Sequence, residues 1–175
     1  MVALIPQGWR VVDIGCGDGT LDHVILQSRP DVSIVGLDVL VRPSTRISVQ
    51  PFDGHTIPYP DGSFDAAMLV DVLHHASDPL ALLREAARVG KTVLIKDHFR
   101  EGLFANLTLR FMDWVGNAHH GVALPYIYWS KSEWGIAFSR LDLKPTEMNL
   151  SLGLYPIPAS WIFERGLHFV TRLQH

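Results

Sequence analysis

Three glycines near the amino terminus form the clearest chemical signal in the sequence. Gly15, Gly17 and Gly19 follow a short run of β-branched residues, 10–14, that is typical of a strand. A glycine turn at the end of a strand lets a ligand approach the backbone without meeting a Cβ, and it leaves N–H groups free at the start of the next helix. The turn therefore indicates a nucleotide-like ligand, although such turns also join strands to helices without binding anything.

An acid follows at the end of the second apolar run. Asp38 closes the run 33–38 and lies nineteen residues after Gly19. A carboxylate in this position can accept hydrogen bonds from both hydroxyls of an adenosine ribose. Taken alone, Asp38 is also typical of a solvated acid at a strand end. Its position after the glycine turn, however, indicates the same nucleotide-like ligand as the turn does.

Predicted strands and helices alternate along the chain, which indicates an α/β domain. We expect strands at 10–14, 33–38, 47–50, 64–70, 92–95 and 166–173, with extended chain at 141–143 and 148–150. We expect helices between Gly19 and Pro30, from Pro79 to Gly90, and from Lys131 to Arg140. Asp78 is the predicted cap of the second helix, and Ser130 forms a capping box with Glu133 at the third. Strands separated by helices favour a mainly parallel sheet covered on both faces.

Five stretches, which include the glycine turn and Asp38, carry a resemblance to a known family. They are Val11 to Gly19, Gly36-Leu37-Asp38, Phe52-Asp53-Gly54, Ile57 to Asp65, and Val72-Leu73-His74-His75. In this order, they resemble the class I S-adenosylmethionine-dependent methyltransferases, particularly the bacterial small-molecule type. The resemblance implies a Rossmann-like three-layer α/β sandwich, whose mainly parallel sheet has about seven strands and an antiparallel last strand.

The resemblance also implies a site for S-adenosylmethionine, with S-adenosylhomocysteine as the product. The glycine loop would embrace the methionine portion of this cofactor through Gly15, Cys16, Gly17 and Gly19. Asp13 would lie beneath the loop, near the amino group of the cofactor.

Other acids of the same motifs are implied at the rest of the cofactor. Asp38 would hold the ribose and Val39 would pack on the adenine. Asp53, followed by Gly54, would accept a hydrogen bond from the adenine amino group, and Asp71 would contribute near the methionine end. Taken alone, Asp53 is typical of a turn and Asp71 of a helix or turn cap.

Methyl transfer from a sulfonium requires the acceptor to be aligned and water to be excluded, and it requires a base only if the acceptor must lose a proton. The acceptor is predicted to be a small molecule. Residues predicted to face it are His75, His98, Trp114 and His119. His74 and His120 are further base candidates, although of two adjacent histidines at most one is expected to face the pocket. Capping and packing are the alternative roles of these histidines.

The length and composition favour one domain. The 175 residues are 47% hydrophobic, which is enough for one sizeable core and too few for two ordinary domains. We expect a single methyltransferase domain over 1–175, in which the aromatic-rich segment 99–155 faces the substrate. Aromatic side chains this dense are also typical of a core.

Charge and cysteine content argue against several kinds of partner. The net charge of −3 gives no overall positive field, so neither nucleic acid nor a membrane is expected to bind. Cys16 is the only cysteine, which excludes an intrachain disulfide and favours the cytoplasm. No secretory signal or bilayer-spanning run is recognised. Adjacent histidines match no known ligand spacing, so no metal site is expected.

Two other functions share parts of the pattern. A nicotinamide-dependent oxidoreductase also uses a glycine turn and an acid, but its fingerprint places glycine or alanine where this chain has Thr20. A methyltransferase-like module without catalytic activity is the second alternative, because only nine residues precede Arg10 and the resembled family usually has covering helices there. The segment from Asp38 to Phe52 is also short. These departures predict an exposed cofactor, a missing amino-terminal segment or a partner that completes the pocket.

Overall fold

The computed structural model describes residues 1–117 and 125–175. Its strands are β1 (Arg10–Ile14), β2 (Ser33–Asp38), β3 (Val49–Pro51), β4 (Phe64–Val70), β5 (Gly90–His98), β6 (Lys144–Asn149) and β7 (His168–Gln174). Its α-helices are α1 (Thr20–Ser28), α2 (Pro79–Val89), α3 (Ala105–Asn117), α4 (Lys131–Arg140) and α5 (Ser160–Phe163). None of the helices in the described ranges has the length and apolar character that crossing a bilayer requires.

The seven strands form one sheet in the order β3-β2-β1-β4-β5-β7-β6. β1, β2, β3, β4 and β5 pair in parallel, whereas β7 runs antiparallel to both β5 and β6. This topology confirms the predicted Rossmann-like sheet with its antiparallel last strand. The strand order reverses between β1 and β4, and open α/β sheets bind ligands at the carboxyl ends of the strands beside such a reversal.

The sheet is buried on both faces, as the side chains of β4 illustrate. Ala67 and Leu69 belong to a core cluster that includes residues of α2 and α4. Ala66 and Met68, which alternate with them along the strand, belong to a second cluster that includes Ile25 of α1. Because successive residues of a strand point to opposite faces, a strand between two helical layers must be apolar throughout. The predicted three-layer sandwich is therefore confirmed.

Two helices begin where their capping residues predicted. The Asp78 carboxylate accepts a hydrogen bond from the backbone N–H of Ala81, and Pro79 is the first residue of α2. Both reciprocal bonds of the capping box between Ser130 and Glu133 are present at α4. Each cap satisfies N–H groups that have no partner within the helix, which is why these boundaries could be read locally.

Other boundaries differ from the sequence-based expectations. The third strand is Val49–Pro51 rather than 47–50, and β5 extends over Gly90–His98 rather than 92–95. Of the two predicted extended pieces, 141–143 precedes the single strand Lys144–Asn149 and 148–150 overlaps its end. The helices α3 and α5 were not predicted. β6 is exposed along its whole length and is held by its pairing to β7, so no hydrophobic alternation marks it.

Two acids are buried beneath the glycine turn. Asp13 of β1 and Asp22 of α1 are 3% and 0% exposed, and Oδ1 of Asp13 and both carboxyl oxygens of Asp22 have no hydrogen-bond partner. Burial, and then the charge of Asp22, raises the pKa of Asp13 well above its ordinary value. Burial also raises the pKa of Asp22. A proton held by Asp13 and donated to Asp22 gives the pair the donor that it otherwise lacks.

Asp22→Asn should stabilise the fold at neutral pH, because the amide supplies a donor to Asp13 and removes one buried carboxylate. We expect an increase in the free energy of unfolding of roughly 1–2 kcal/mol. Since the native pKa values are raised, the native state binds more protons than the unfolded state. The wild-type stability must then fall as pH rises from about 3.9 through the native pKa values, and this fall should be smaller in the variant. Denaturant unfolding between pH 5 and 8 measures both effects.

Asp18→Asn is the matched control. Asp18 is exposed and accepts hydrogen bonds from the N–H and the hydroxyl of Thr20, which lower its pKa. The same change of side chain should therefore leave the stability equal or reduced. Equal effects of the two substitutions would contradict a proton shared by Asp13 and Asp22.

Candidate active site

A cavity of about 680 Å³ opens at the carboxyl ends of β1, β2 and β4. Small-molecule sites usually measure about 300–1,000 Å³. Its wall brings together many of the residues singled out in the sequence, namely Gly15, Cys16, Gly17, Asp38, Val39, Gly54, Asp71 and His75. They come from separate parts of the chain, and the parallel strands carry them to one edge of the sheet.

The glycine turn is tied to the end of β2 through Asp38. The backbone N–H of Gly17 donates to Asp38 Oδ2 at 2.8 Å, and the N–H of Leu40 donates to Oδ1 at 2.8 Å. Gly17 has a φ of +61°, and a Cβ there would meet no atom within 4 Å. Its backbone thus leaves room for a ligand at a position where a side chain would intrude.

Gly19 and Asp13 support the turn without being part of the cavity wall. Gly19 adopts a φ of +75° immediately before α1, and a Cβ there would collide with Ile47. Asp13 is buried beneath the loop, where it faces Asp22. The two residues fix the shape of the loop from below.

Cys16 lies on the wall but is not suited to nucleophilic catalysis. Burial, and next the nearby carboxylates of Asp13, Asp22 and Asp38, raise the pKa of its thiol far above the ordinary value. The thiolate is the reactive form of cysteine. Cys16 therefore stays a small protonated side chain at neutral pH.

The far end of the cavity has an apolar rim. Val39 is 64% exposed, and its neighbours Leu40 and Val41 are also exposed. Val39, Leu40 and Phe52 line the cavity. Apolar side chains left open to water beside a concave site are suited to covering the flat face of a ligand.

Asp53 forms a turn beside this rim. Its Oδ1 accepts hydrogen bonds from the N–H groups of His55 and Thr56, at 2.8 and 2.7 Å, and these bonds lower its pKa. The side chain is exposed, and the residue that reaches the cavity wall is its neighbour Gly54. The structure thus shows the turn-forming role that the pair Asp53-Gly54 suggested when taken alone.

Asp71 closes the other end of the cavity. It follows β4 with a φ of +56°, which is uncommon for a residue other than glycine. Lys96 holds its carboxylate from the adjacent strand β5, with Nζ 2.7 Å from Oδ1 and 2.5 Å from Oδ2. The ion pair fixes the Asp71 carboxylate at the boundary between this cavity and the polar region behind it.

That polar region is a histidine–aspartate cluster, formed by His74, His75, Asp97, His98 and Asp113. At its centre, His74 Nδ1 lies 2.8 Å from Asp97 Oδ1, and both side chains are buried. The N–H of His98 donates to the same oxygen at 2.8 Å. Burial alone would lower the pKa of His74, but the carboxylate of Asp97 raises it above the ordinary value. Burial opposes ionisation of Asp97, yet His74 and then His98 bring the pKa of Asp97 far below its usual range.

Helix α3 supplies the remaining acid of the cluster. Asp113 Oδ1 lies 3.3 Å from His75 Nε2 and 3.9 Å from His74 Nε2. The hydroxyl of Tyr128 donates to Asp113 Oδ2 at 2.9 Å, and burial together with this carboxylate raises the pKa of Tyr128. Asp113 thereby links the two histidines that follow β4 to the aromatic-rich segment.

The four residues predicted to face the acceptor have different surroundings. His75 lines the large cavity, whereas His98 lines a second cavity of about 160 Å³ that shares Asp71 with the first. His74 lines the second cavity, so of the adjacent pair only His75 reaches the large one. Trp114 lines neither and is 55% exposed, because the buried face of α3 is formed by Ala105, Leu109 and Asp113. The prediction for Trp114 thus has no support in its position, and His119 lies outside the described residues.

The cluster also has a possible metal geometry, since ligand atoms of Asp71, His74, Asp97 and His98 lie within 4.8 Å of one another. The Lys96 ammonium group, however, contacts both oxygens of Asp71. Asp97 Oδ1 already accepts hydrogen bonds from two donors. A cation held by these four residues would compete with these partners, so their geometry favours a hydrogen-bonded network over a metal site.

Sequence reasoning missed Asp97, Asp113 and His168, although two of them left a signal. Asp97 directly precedes His98 at the end of a predicted strand. Asp113 follows the buried residues Ala105 and Leu109 at intervals of four, which is the helical spacing of one face. His168 at the start of β7 had no such signal, because only the antiparallel pairing with β5 brings it opposite His98.

Comparisons with known proteins identify the family of the chain and its fold. The sequence profile of the methyltransferase domain family matches residues 1–147. 27-O-demethylrifamycin SV methyltransferase of Amycolatopsis mediterranei is 30% identical over 104 residues, which are 51% of this chain and 38% of that protein. tRNA (carboxymethyluridine(34)-5-O)-methyltransferase of Schizosaccharomyces pombe is 35% identical over 78 residues, which are 42% of this chain and 32% of that protein. The chain spans less than half the length of these curated relatives.

A solved structure shows the same fold. A chain of the complex between the Haloferax volcanii activator Trm112 and a methyltransferase superposes with a TM-score of 0.71 at 22% identity. The superposition covers 99% of this chain and 87% of the other. The matching profile, the strand order and the glycine turn at the end of β1 lead to one conclusion. The chain belongs to the methyltransferase domain family, whose members are class I S-adenosylmethionine-dependent methyltransferases.

Proposed function

We propose that this chain is an S-adenosylmethionine-dependent methyltransferase that methylates a hydroxyl group of a small-molecule acceptor. One observation carries the proposal: the cavity beside the glycine turn shares Asp71 with a buried cluster that contains a histidine–aspartate pair. A nucleotide-binding module needs the first feature only. A transferase acting on a hydroxyl also needs a group that accepts a proton next to the reacting centre.

The nucleoside half of the cofactor fits the β2 end of the cavity. Each oxygen of Asp38 accepts one backbone hydrogen bond, and a carboxylate offers about four acceptor sites, so capacity remains for two ribose hydroxyls. We assign the adenine to the apolar rim at Val39. Asp53 is the proposed acceptor for the adenine amino group through Oδ2, since the turn uses Oδ1, and Gly54 leaves space on the wall beside it.

The methionine half fits between the glycine turn and Asp71. Gly15, Cys16 and Gly17 form the wall there, and the carboxylate of Asp71 is held at its end by Lys96. Asp13 acts from beneath the loop, where its partly negative pair with Asp22 favours a cationic amino group above it. When bound, S-adenosylmethionine supplies an activated methyl carbon.

The cluster supplies a place for the proton of the acceptor hydroxyl. Because Nδ1 of His74 is engaged with Asp97, its Nε2 is the nitrogen left to accept that proton in the neutral ring. Asp97 then stabilises the imidazolium that forms, and it holds the ring in one orientation. His75, placed between the large cavity and Asp113, is the proposed contact to the acceptor from the cofactor side.

Size and charge favour a small acceptor over RNA. The two named relatives differ in this respect, since one carries the name of 27-O-demethylrifamycin SV and the other that of a tRNA. The chain has a net charge of −3, whereas binding to nucleic acid rests mainly on positive charge placed against phosphates. The cavity of about 160 Å³ behind Asp71 also has room only for a small group.

Calorimetry with S-adenosylmethionine, S-adenosylhomocysteine and NAD tests the cofactor assignment. We expect both sulfur nucleotides to bind and NAD not to bind, because Thr20 stands where the dinucleotide fingerprint requires a small residue. Failure of both sulfur nucleotides to bind would refute the proposed function. Binding without transfer to any of a broad panel of hydroxylated acceptors would support a module without catalytic activity.

Asp38→Ala should weaken the binding of S-adenosylhomocysteine by roughly 10- to 100-fold, since it removes hydrogen bonds to a charged acceptor. Asp61→Ala is the matched control, because its carboxylate is 81% exposed and contacts Arg88 away from the cavity. Titration calorimetry of the two variants should show a loss of affinity for the first alone. An unchanged affinity of the first variant would remove the ribose contact from the proposal.

Asp97→Asn should lower the pKa of His74, because the main interaction that raises this pKa is lost while the burial that lowers it remains. The ring resonances of His74, followed by NMR as a function of pH, should titrate at a lower pH in the variant than in the wild type. His23, which lies on α1 outside both cavities, is the internal control, and the substitution should leave its ring resonances unmoved. An unshifted His74 titration would show that Asp97 does not tune the proposed base.

A further inference from the structure

The second cavity lies behind Asp71, between the ends of β4, β5 and β7 and the inner face of α3. Its volume of about 160 Å³ is close to that of cavities of about 150 Å³ that hold a benzene ring. Leu109 and Met112 line one side of it, and histidines line the other. The cavity can therefore hold one ring or a group of similar size.

The charges around this cavity disfavour an anionic ligand. Lys96 is paired with Asp71, and His74 is paired with Asp97. Asp113, which also lines the cavity, accepts a hydrogen bond from the neutral Tyr128 hydroxyl and lies 3.3 Å from His75 Nε2. Two carboxylates, those of Asp71 and Asp113, thus line a space to which Lys96 brings a permanent positive charge. A carboxylate or phosphate entering it would meet like charge at short range.

Two imidazoles of the wall each have one nitrogen engaged and one left to accept. Nδ1 of His74 is engaged with Asp97, and its Nε2 lies 3.9 Å from Asp113 Oδ1, beyond hydrogen-bond distance. Nε2 of His168 donates to the backbone carbonyl of Phe163 at 2.8 Å, which leaves Nδ1 as an acceptor. The rings of His74 and His168 both lie about 5 Å from that of His98.

His168 is the more unusual of the two. It is 1% exposed, it lines the cavity, and its Nδ1 has no hydrogen-bond partner. Burial, followed by the nearby His98 and Lys96, lowers the pKa of His168 to about 4, so the ring is neutral at physiological pH. A buried acceptor without a donor costs free energy unless a ligand or a water supplies the donor.

We propose that this cavity is the subsite for the reacting end of the acceptor and that it selects a neutral pair of adjacent hydroxyls, as in a catechol or a vicinal diol. One hydroxyl faces Nε2 of His74 and reacts, while its neighbour donates to Nδ1 of His168. The assignment of the reacting hydroxyl rests on the proposed function. His168 is a specificity-determining residue in this arrangement, since a site built to receive a hydroxyl discriminates against analogues that lack it.

The test uses the full chain saturated with S-adenosylhomocysteine, and catechol, phenol and salicylate as probes. Catechol should bind about 10-fold more tightly than phenol, because only catechol supplies the second donor. Salicylate should bind most weakly, because its carboxylate meets Asp71 and Asp113 on the cavity wall. The ¹⁵N resonance of His168 Nδ1 should shift when catechol is added and stay unchanged when phenol is added.

Substitutions separate the role of His168 from a structural one. His168→Phe should abolish the advantage of catechol over phenol without changing the affinity for S-adenosylhomocysteine, and His168→Asn should restore part of it through its side-chain oxygen. His23→Phe, the same change on α1, should alter neither affinity. The wild-type ¹⁵N measurement keeps the test decisive if a variant does not fold.

Equal affinities of catechol and phenol, tightest binding of salicylate, or an unshifted Nδ1 resonance would each overturn the subsite. Binding of S-adenosylhomocysteine without any binding of catechol would do the same and would leave the proposed function intact. Absence of S-adenosylhomocysteine binding would instead count against the proposed function itself.

Discussion

Parallel pairing of β1, β2, β4 and β5 is the constraint on which the rest of the structure depends. In a parallel sheet all carboxyl ends lie at one edge, so residues from four separate parts of the chain must meet there. The register aligns Asp13 with Gly36 and Val70 with Lys96, which places the glycine turn beside Asp38 and Asp71 beside Lys96. The hydrogen bonds from Gly17 to Asp38 and from Lys96 to Asp71 are consequences of this alignment.

The same edge contains two environments of opposite character. The large cavity has an open apolar rim at Val39 and a backbone surface at Gly17. The region behind Asp71 is buried and rich in ionisable groups, and its hydrogen bond between His74 and Asp97 is shielded from water. Shielding strengthens electrostatic interactions, so the pKa values of the groups in this region depend strongly on their neighbours.

Local signals predicted those parts of the fold whose hydrogen bonds form within a few residues of the chain. The cap at Asp78 and the capping box at Ser130 place helix starts, because each satisfies free N–H groups within a few residues. The glycine turn and Asp38 could be recognised because their types and spacing are dictated by backbone geometry. β6 was not predicted as a single strand because it depends on pairing with β7. α3 was not predicted because its exposed side carries apolar residues such as Leu107 and Phe111, which obscure the helical pattern.

The sequence by itself determined the family-type sheet, the glycine turn with its acids and the type of ligand they suit. Only the tertiary structure decided which polar residues act together. In the fold, His74 contacts Asp97, and Asp113 of α3 lies beside His75. Trp114 is exposed, and His168 of β7 pairs with His98 of β5. The reason is physical: these contacts link residues from strands and helices far apart in the chain, and their geometry follows from sheet register and helix packing rather than from local sequence.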